Sequence, residues 1–136
     1  MKILIIEDET FISSLLKSRI LRLMRGFETV KVSTVETLEQ GVKLAASLEP
    51  HIIILDLGLT DSSPEETVQK CNVFTHTSSV IVVSAALDDT LIKEAYDRGA
   101  YKVLDKLELN LGTLRGLLLK AYVDNLKTVP VEIAPV

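Results

Sequence analysis

Five short aliphatic runs separated by segments of helical period leave this chain few folds to adopt. The runs are "KILII" (2–6), "TVKVS" (29–33), "HIIIL" (51–55), "VIVV" (80–83) and "YKVL" (101–104). Strand alternating with helix five times predicts a parallel sheet covered by helices on both faces, an α/β sandwich. The first, third and fourth runs show no polar alternation, as strands buried on both sides require. "TVKVS" alternates, which places it at an edge. Among the helical segments, Phe11, Ile12, Leu15, Leu16, Ile20, Leu23 and Met24 predict one buried stripe, and Val35, Leu38, Val42 and Ala45 a second. Ser33 and Glu36 read as the capping box of that second helix. A third helix is expected from Pro64 with Ser63 as N-cap, a fourth over 88–98 stopping at Gly99, and a last over 110–127 burying Leu114, Leu117 or Leu118, and Ala121.

One domain is expected over residues 1–127, with 128–136 as a tail or linker stub, because "TVPVEIAPV" has two prolines and no helical period. A chain of 136 residues is long enough to bury a core without staples. Its balance of 15 basic against 19 acidic residues, net −4, argues against a nucleic-acid footprint. No apolar run approaches the roughly 20 residues of a membrane span, and "MKILIIEDE" is not a signal peptide. The one cysteine, Cys71, excludes an internal disulfide and fits a reducing compartment as a half-buried helix residue. The expectation is a cytoplasmic protein.

In an open parallel sheet, ligands bind beyond the carboxyl ends of the strands. Those ends carry Glu7 and Asp8 after the first run, Asp56 after the third, Ser84 after the fourth and Lys106 after the fifth. Each alone reads as a turn or cap residue. Their joint arrival on one rim is what caps explain poorly. Adjacent carboxylates repel by about 4 kcal/mol at an effective dielectric near 20, so such a cluster calls for a cation. Mg2+ takes oxygen ligands and prefers one or two carboxylates plus a phosphate oxygen; Mn2+ is equally open to an all-oxygen set. Asp8 and Asp56 would bind it directly, Glu7 through water, and the backbone carbonyl near Gly58 would add a ligand. Asp56 would then serve as a nucleophile forming an aspartyl phosphate. Lys106 and the Ser84 hydroxyl would meet the charge that phosphoryl transfer spreads over its oxygens.

"IIEDE", "IIILDLGL", "VVSA" and "VLDK", in this order and at these separations, resemble the receiver domain of two-component response regulators over about residues 1–125. The resemblance implies a flavodoxin-like (βα)5 fold with strand order 2-1-3-4-5. It implies that Asp56 is the phosphoacceptor, Glu7 and Asp8 the acidic pocket, Ser84 the switch hydroxyl and Lys106 the phosphate-binding lysine. The donor it implies is a histidine kinase or histidine phosphotransfer protein, in a two-component system or phosphorelay. The chain would catalyse only its own phosphorylation and dephosphorylation, and signal by protein contact or onward transfer.

Three positions depart from the family pattern. Val103 stands where an aromatic ring is usual, Leu107 where proline follows the lysine, and Thr60 where "DLGLP" is common. Tyr101 should share a face with Val103 but lie nearer the start of the strand. Leu107 implies a trans loop. Gly58 and Ala86, two residues beyond Asp56 and Ser84, leave the pocket open to water. A partner or self-association surface is expected around Leu107, Leu111, Leu119 and Tyr122.

Two other functions compete. A pseudo-receiver would keep the fold as an interaction module without phosphorylation, which retention of all five chemical groups opposes. A haloacid-dehalogenase-type phosphatase needs a second Asp two residues past its nucleophile, and this chain has Gly58. No dinucleotide or P-loop glycine motif occurs.

Overall fold

In the computed structural model, which describes residues 1–27 and 29–128, the five strands form one parallel sheet in the order β2-β1-β3-β4-β5. The strands are β1 (Lys2–Ile6), β2 (Lys31–Val35), β3 (Ile52–Asp56), β4 (Ser79–Ser84) and β5 (Lys102–Asp105). Between and after them run α1 (Thr10–Leu23), α2 (Leu38–Leu48), α3 (Pro64–Gln69), α4 (Cys71–Phe74), α5 (Asp89–Asp97) and α6 (Leu111–Thr128). This is the doubly wound, flavodoxin-like sandwich that the run pattern and the motifs predict.

Side chains alternate across the pleat, so each central strand feeds two cores. Leu4, Ile6, Ile53, Leu55, Val80 and Val82 pack on one face with Leu38, Val68, Phe74, Leu91 and Ala95 from α2 to α5. Ile3, Ile5, Ile52, Ile54, Ile81 and Val83 pack on the other with Ile20 of α1 and Leu114, Leu118 and Ala121 of α6. Cys71 is fully buried rather than half-buried, and burial pushes its thiol up to about 11, so it is inert at neutral pH.

Beyond shifts of one residue at other element ends, the structure departs from the sequence reading in five respects. β2 runs two residues later than "TVKVS", so Ser33 lies inside the strand and caps nothing. The N-cap of α2 is Thr37, whose hydroxyl accepts from the Gln40 N–H at 3.1 Å, while the Gln40 side-chain oxygen accepts from the Glu36 N–H at 3.1 Å. The box therefore falls on Thr37 and Gln40. The third helix starts at Pro64 with Ser63 accepting from the Glu66 N–H, but it breaks at Lys70. There the Lys70 N–H is shared between the Glu66 and Thr67 carbonyls, and the Thr67 hydroxyl bonds back to the Ser63 carbonyl. On α1, Phe11 is 77% exposed and Leu15 also faces outward, so the buried stripe narrows to Ile20 and Met24, with Leu16 and Leu23 packed beside them.

The fifth difference concerns Tyr101. It packs with the α1–α6 core while Val103 packs with the opposite one. Tyr101 precedes β5, so the alternation does not reach it, and its hydroxyl donates to Asp124 of α6 at 2.7 Å. Gly99 ends α5 as expected, at φ +96°, a conformation that side chains strain to adopt. No cis peptide occurs among the described residues, as the substitution of Leu107 for proline implies. The expected tail begins inside α6 at Thr128; residues 129–136 and the Leu111 side chain lie outside the described residues.

Candidate functional site

The parallel register brings the predicted residues to one rim. Ile6 pairs with Leu55, so Glu7 and Asp8 emerge beside Asp56 at the end of β3. Asp56 pairs with Val83 and Ser84 with Asp105, which sets Ser84 and Lys106 on the next two strand ends. Lys106 opens a 3-10 turn (Lys106–Glu108), and the Asp105 carboxylate accepts from the Leu107 N–H at 2.8 Å to cap it. The local sequence thus turns the chain sharply at the point where the ammonium must face inward.

Carboxylate oxygens of Glu7, Asp8 and Asp56 lie within 4.8 Å of one another. Glu7 and Asp56 are only 5% and 4% exposed, and Asp8 is half-buried. Lys106 Nζ sits between two of them, 3.2 Å from Glu7 Oε2 and 3.2 Å from Asp56 Oδ2. The Gly58 N–H donates to Asp56 Oδ1 at 3.0 Å and the Glu9 N–H to Glu7 Oε1 at 3.2 Å. Ser84, buried at the end of β4, accepts from the Ala86 N–H at 3.2 Å. Gly58 itself is exposed.

The electrostatics are unbalanced. Burial, then the Asp56 charge, push the Glu7 carboxyl up to about 7. Burial opposes the charge on Lys106, but Asp56 and Glu7 outweigh it and raise its pKa. Three acids against one ammonium leave a deficit of positive charge in a partly desolvated cleft. An all-oxygen, hard donor set with that deficit suits magnesium or manganese; the residues present fit such an ion. A cavity of about 240 Å³ opens at these residues, lined by Glu7, Asp56 and Lys106 and by the apolar side chains of β1, α1, β3 and β4 around them.

The expected leucine-rich patch is in part drawn into the fold. Leu107 is 94% exposed, but Leu119 and Tyr122 pack against the α1–α6 core. Tyr122 stands edge-on to Phe27 and His51, with ring centroids 5.6 and 4.9 Å away. Two features escaped the sequence reading. Phe11 is exposed one turn after the acids, and Asp61 reaches back to α2. Periodicity assigned the first to the core, and a run of turn residues hid the second.

Comparison with known proteins agrees with this geometry. The family model described as response regulator receiver domain matches residues 3–119. The KDP operon transcriptional regulatory protein KdpE of Escherichia coli is 34% identical over 116 residues, 85% of this chain and 48% of that protein. The chain thus spans about half the length of this curated relative. Among solved structures, the signal receiver domain of a protein named as a Luxo repressor in Vibrio parahaemolyticus superposes with a TM-score of 0.81 at 26% identity, over 98% of both chains. The receiver domain of a modulated diguanylate cyclase from Desulfovibrio desulfuricans gives 0.77 at 19%, over 93% of this chain and 96% of that one, and shows the shared fold. From strand order, rim and motifs together, the chain belongs to the response regulator receiver domain family.

Proposed function

We propose that Asp56 accepts a phosphoryl group from a phosphohistidine of a histidine kinase or histidine phosphotransfer protein. The observation that carries this reading is Lys106 Nζ placed 3.2 Å from both Glu7 and Asp56 at the mouth of an acidic trio. In the transfer, a carboxylate oxygen of Asp56 forms a bond to phosphorus as the phosphorus–nitrogen bond of the donor breaks, and the released imidazole takes up a proton. Asp8 and Asp56, with Glu7 through water and the Gly58 carbonyl, would hold a divalent ion that offsets the clustered negative charge and ligates a phosphoryl oxygen. Lys106 would leave Glu7 to pair with a second phosphoryl oxygen, and the Ser84 hydroxyl, whose oxygen accepts from Ala86, has its proton free to donate to the third. Exposed Gly58 and Ala86 leave water access to the acyl phosphate, so the chain would also catalyse its own dephosphorylation. It acts on no other substrate in this reading.

Phe11 and Leu107 lie on the two segments bordering the acids and the lysine, and offer the donor an apolar contact. Among the described residues no helix is long and apolar enough to cross a membrane; a cytoplasmic site of action belongs to the same proposal.

The test is fluorine NMR of the protein with magnesium and beryllofluoride, a mimic of the acyl phosphate. Bound fluorine resonances are expected for the wild type and not for Asp56→Ala. Absence from the wild type would favour the pseudo-receiver reading.

A further inference from the structure

The segment leaving Asp56 must present the Gly58 carbonyl to the cation site while crossing open surface to α3. Leu57 and Leu59 are buried on the α2–α5 side, and Gly58 stands exposed between them. Beyond Leu59, Thr60 has none of the φ restriction a proline would impose. The next residue ends that freedom. Asp61 Oδ1 accepts from the Leu38 N–H at 3.0 Å and Oδ2 from the Glu39 N–H at 3.1 Å. These are the first two residues of α2, whose leading N–H groups have no partner within the helix. A carboxylate there is favoured by charge-assisted bonds and by the helix dipole. The Thr37 side chain covers the Gln40 N–H and its carbonyl the Gly41 N–H, so Asp61 and Thr37 divide the N-terminus between them.

The helix so gripped is itself tied to the other half of the site. A methyl group added at Gly41 of α2 would meet the Ile6 side chain, 3.0 Å from its Cγ1. Ile6 directly precedes Glu7 and Asp8. The loop that follows Asp56 and the strand that delivers the other two acids thus both meet α2, one at its N-terminus and the other at Gly41.

We infer that Asp61 is a positioning residue for the cation site: by clamping the N-terminus of α2 it holds the 57–60 loop, and with it the Gly58 carbonyl, in register with Asp8 and Asp56. This inference rests on the reading of the acids as a divalent-cation site. Groups that hydrogen-bond a metal ligand, when removed, weaken metal binding by about 10–100-fold; Asp61 bonds α2 rather than a ligand, so the lower end is expected.

The experiment is calorimetric titration of magnesium into the wild type, Asp61→Ala, Asp61→Asn and Thr37→Ala, with amide hydrogen exchange read at Gly58 and Leu59. Asp61→Ala should bind magnesium about tenfold more weakly and exchange faster at both amides. Asp61→Asn, which keeps one acceptor oxygen, should fall between it and the wild type. Thr37→Ala loses a cap on the same helix without releasing the loop, so its affinity and loop exchange should match the wild type. Equal affinity in Asp61→Ala and wild type would overturn the inference and leave the cation site standing. Equal losses in Thr37→Ala and Asp61→Ala would overturn it too, by tracing the effect to the helix alone. No magnesium binding by the wild type would overturn both the site reading and the inference.

Discussion

Glu7 is the residue on which the opposing forces at the rim are most visible. Its folded-state pKa is raised from 4.5 to about 7, because burial and Asp56 disfavour its charge. Between those values the native state holds a proton that the unfolded state has released, so metal-free protein loses stability as pH rises through that window. The loss is at most about 3 kcal/mol. Glu7→Gln should therefore melt above the wild type at pH 8 in chelator and match it near the lower end of the window. Equal melts at pH 8 would contradict the cause assigned here. The difference between the two proteins is the proper readout, since burial also holds the His51 pKa down and destabilises the fold as pH falls below 6.5. Lys106→Met removes the only ammonium bonded to Glu7 and Asp56 among the described residues. It should cost about 1–3 kcal/mol in chelator, below the range for a fully buried pair because Lys106 keeps some solvent contact; an unchanged melt would show the pairing to be idle. At this scale Glu7, Asp8, Asp56, Ser84 and Lys106 were legible because strand ends are legible. Asp61 was not, since its partners are backbone N–H groups 22 and 23 residues upstream and no side-chain type announces them.

Among the elements, α2 shows why types were easier to read than boundaries. The alternation in "KVSTV" is as good as in "TVKVS", and pairing with β1 selects between them: Lys2 opposes Lys31 and Ile6 opposes Val35. Register is a tertiary property. Once it moves β2 by two residues, the cap must move to Thr37. In α1 the apolar period was correct but wider than the sheet could cover, which leaves Phe11 outside. The approach of α2 to β1 yields a further prediction. Gly41→Ala gains about 1 kcal/mol of helix propensity, but it presses into the fully buried Ile6, and overpacking of that kind costs about 1–3 kcal/mol. Overpacking should win, lowering the melting temperature; a more stable Gly41→Ala would mean that Ile6 repacks freely.

For the whole molecule, the parallel sheet with a core on each face followed from the spacing of five aliphatic runs, whereas the observed strand order was implied by the family resemblance of the motifs. The helical period marked Leu114, Leu117 or Leu118, and Ala121 for the core, and α6 places Leu114, Leu118 and Ala121 there; what the sequence hid is that Leu119 and Tyr122 are drawn in beside them. If the rim binds a divalent ion only when folded, magnesium at about 100 times its Kd should add about 2.7 kcal/mol of stability. An unchanged melt at that concentration would deny the site. The most direct measurement is to incubate the chain with magnesium and acetyl phosphate and locate the added phosphoryl group by tandem mass spectrometry. The account predicts one phosphoryl group on Asp56, lost in chelator and in Asp56→Asn. A group found on another residue of the wild type, or none at all, would contradict it.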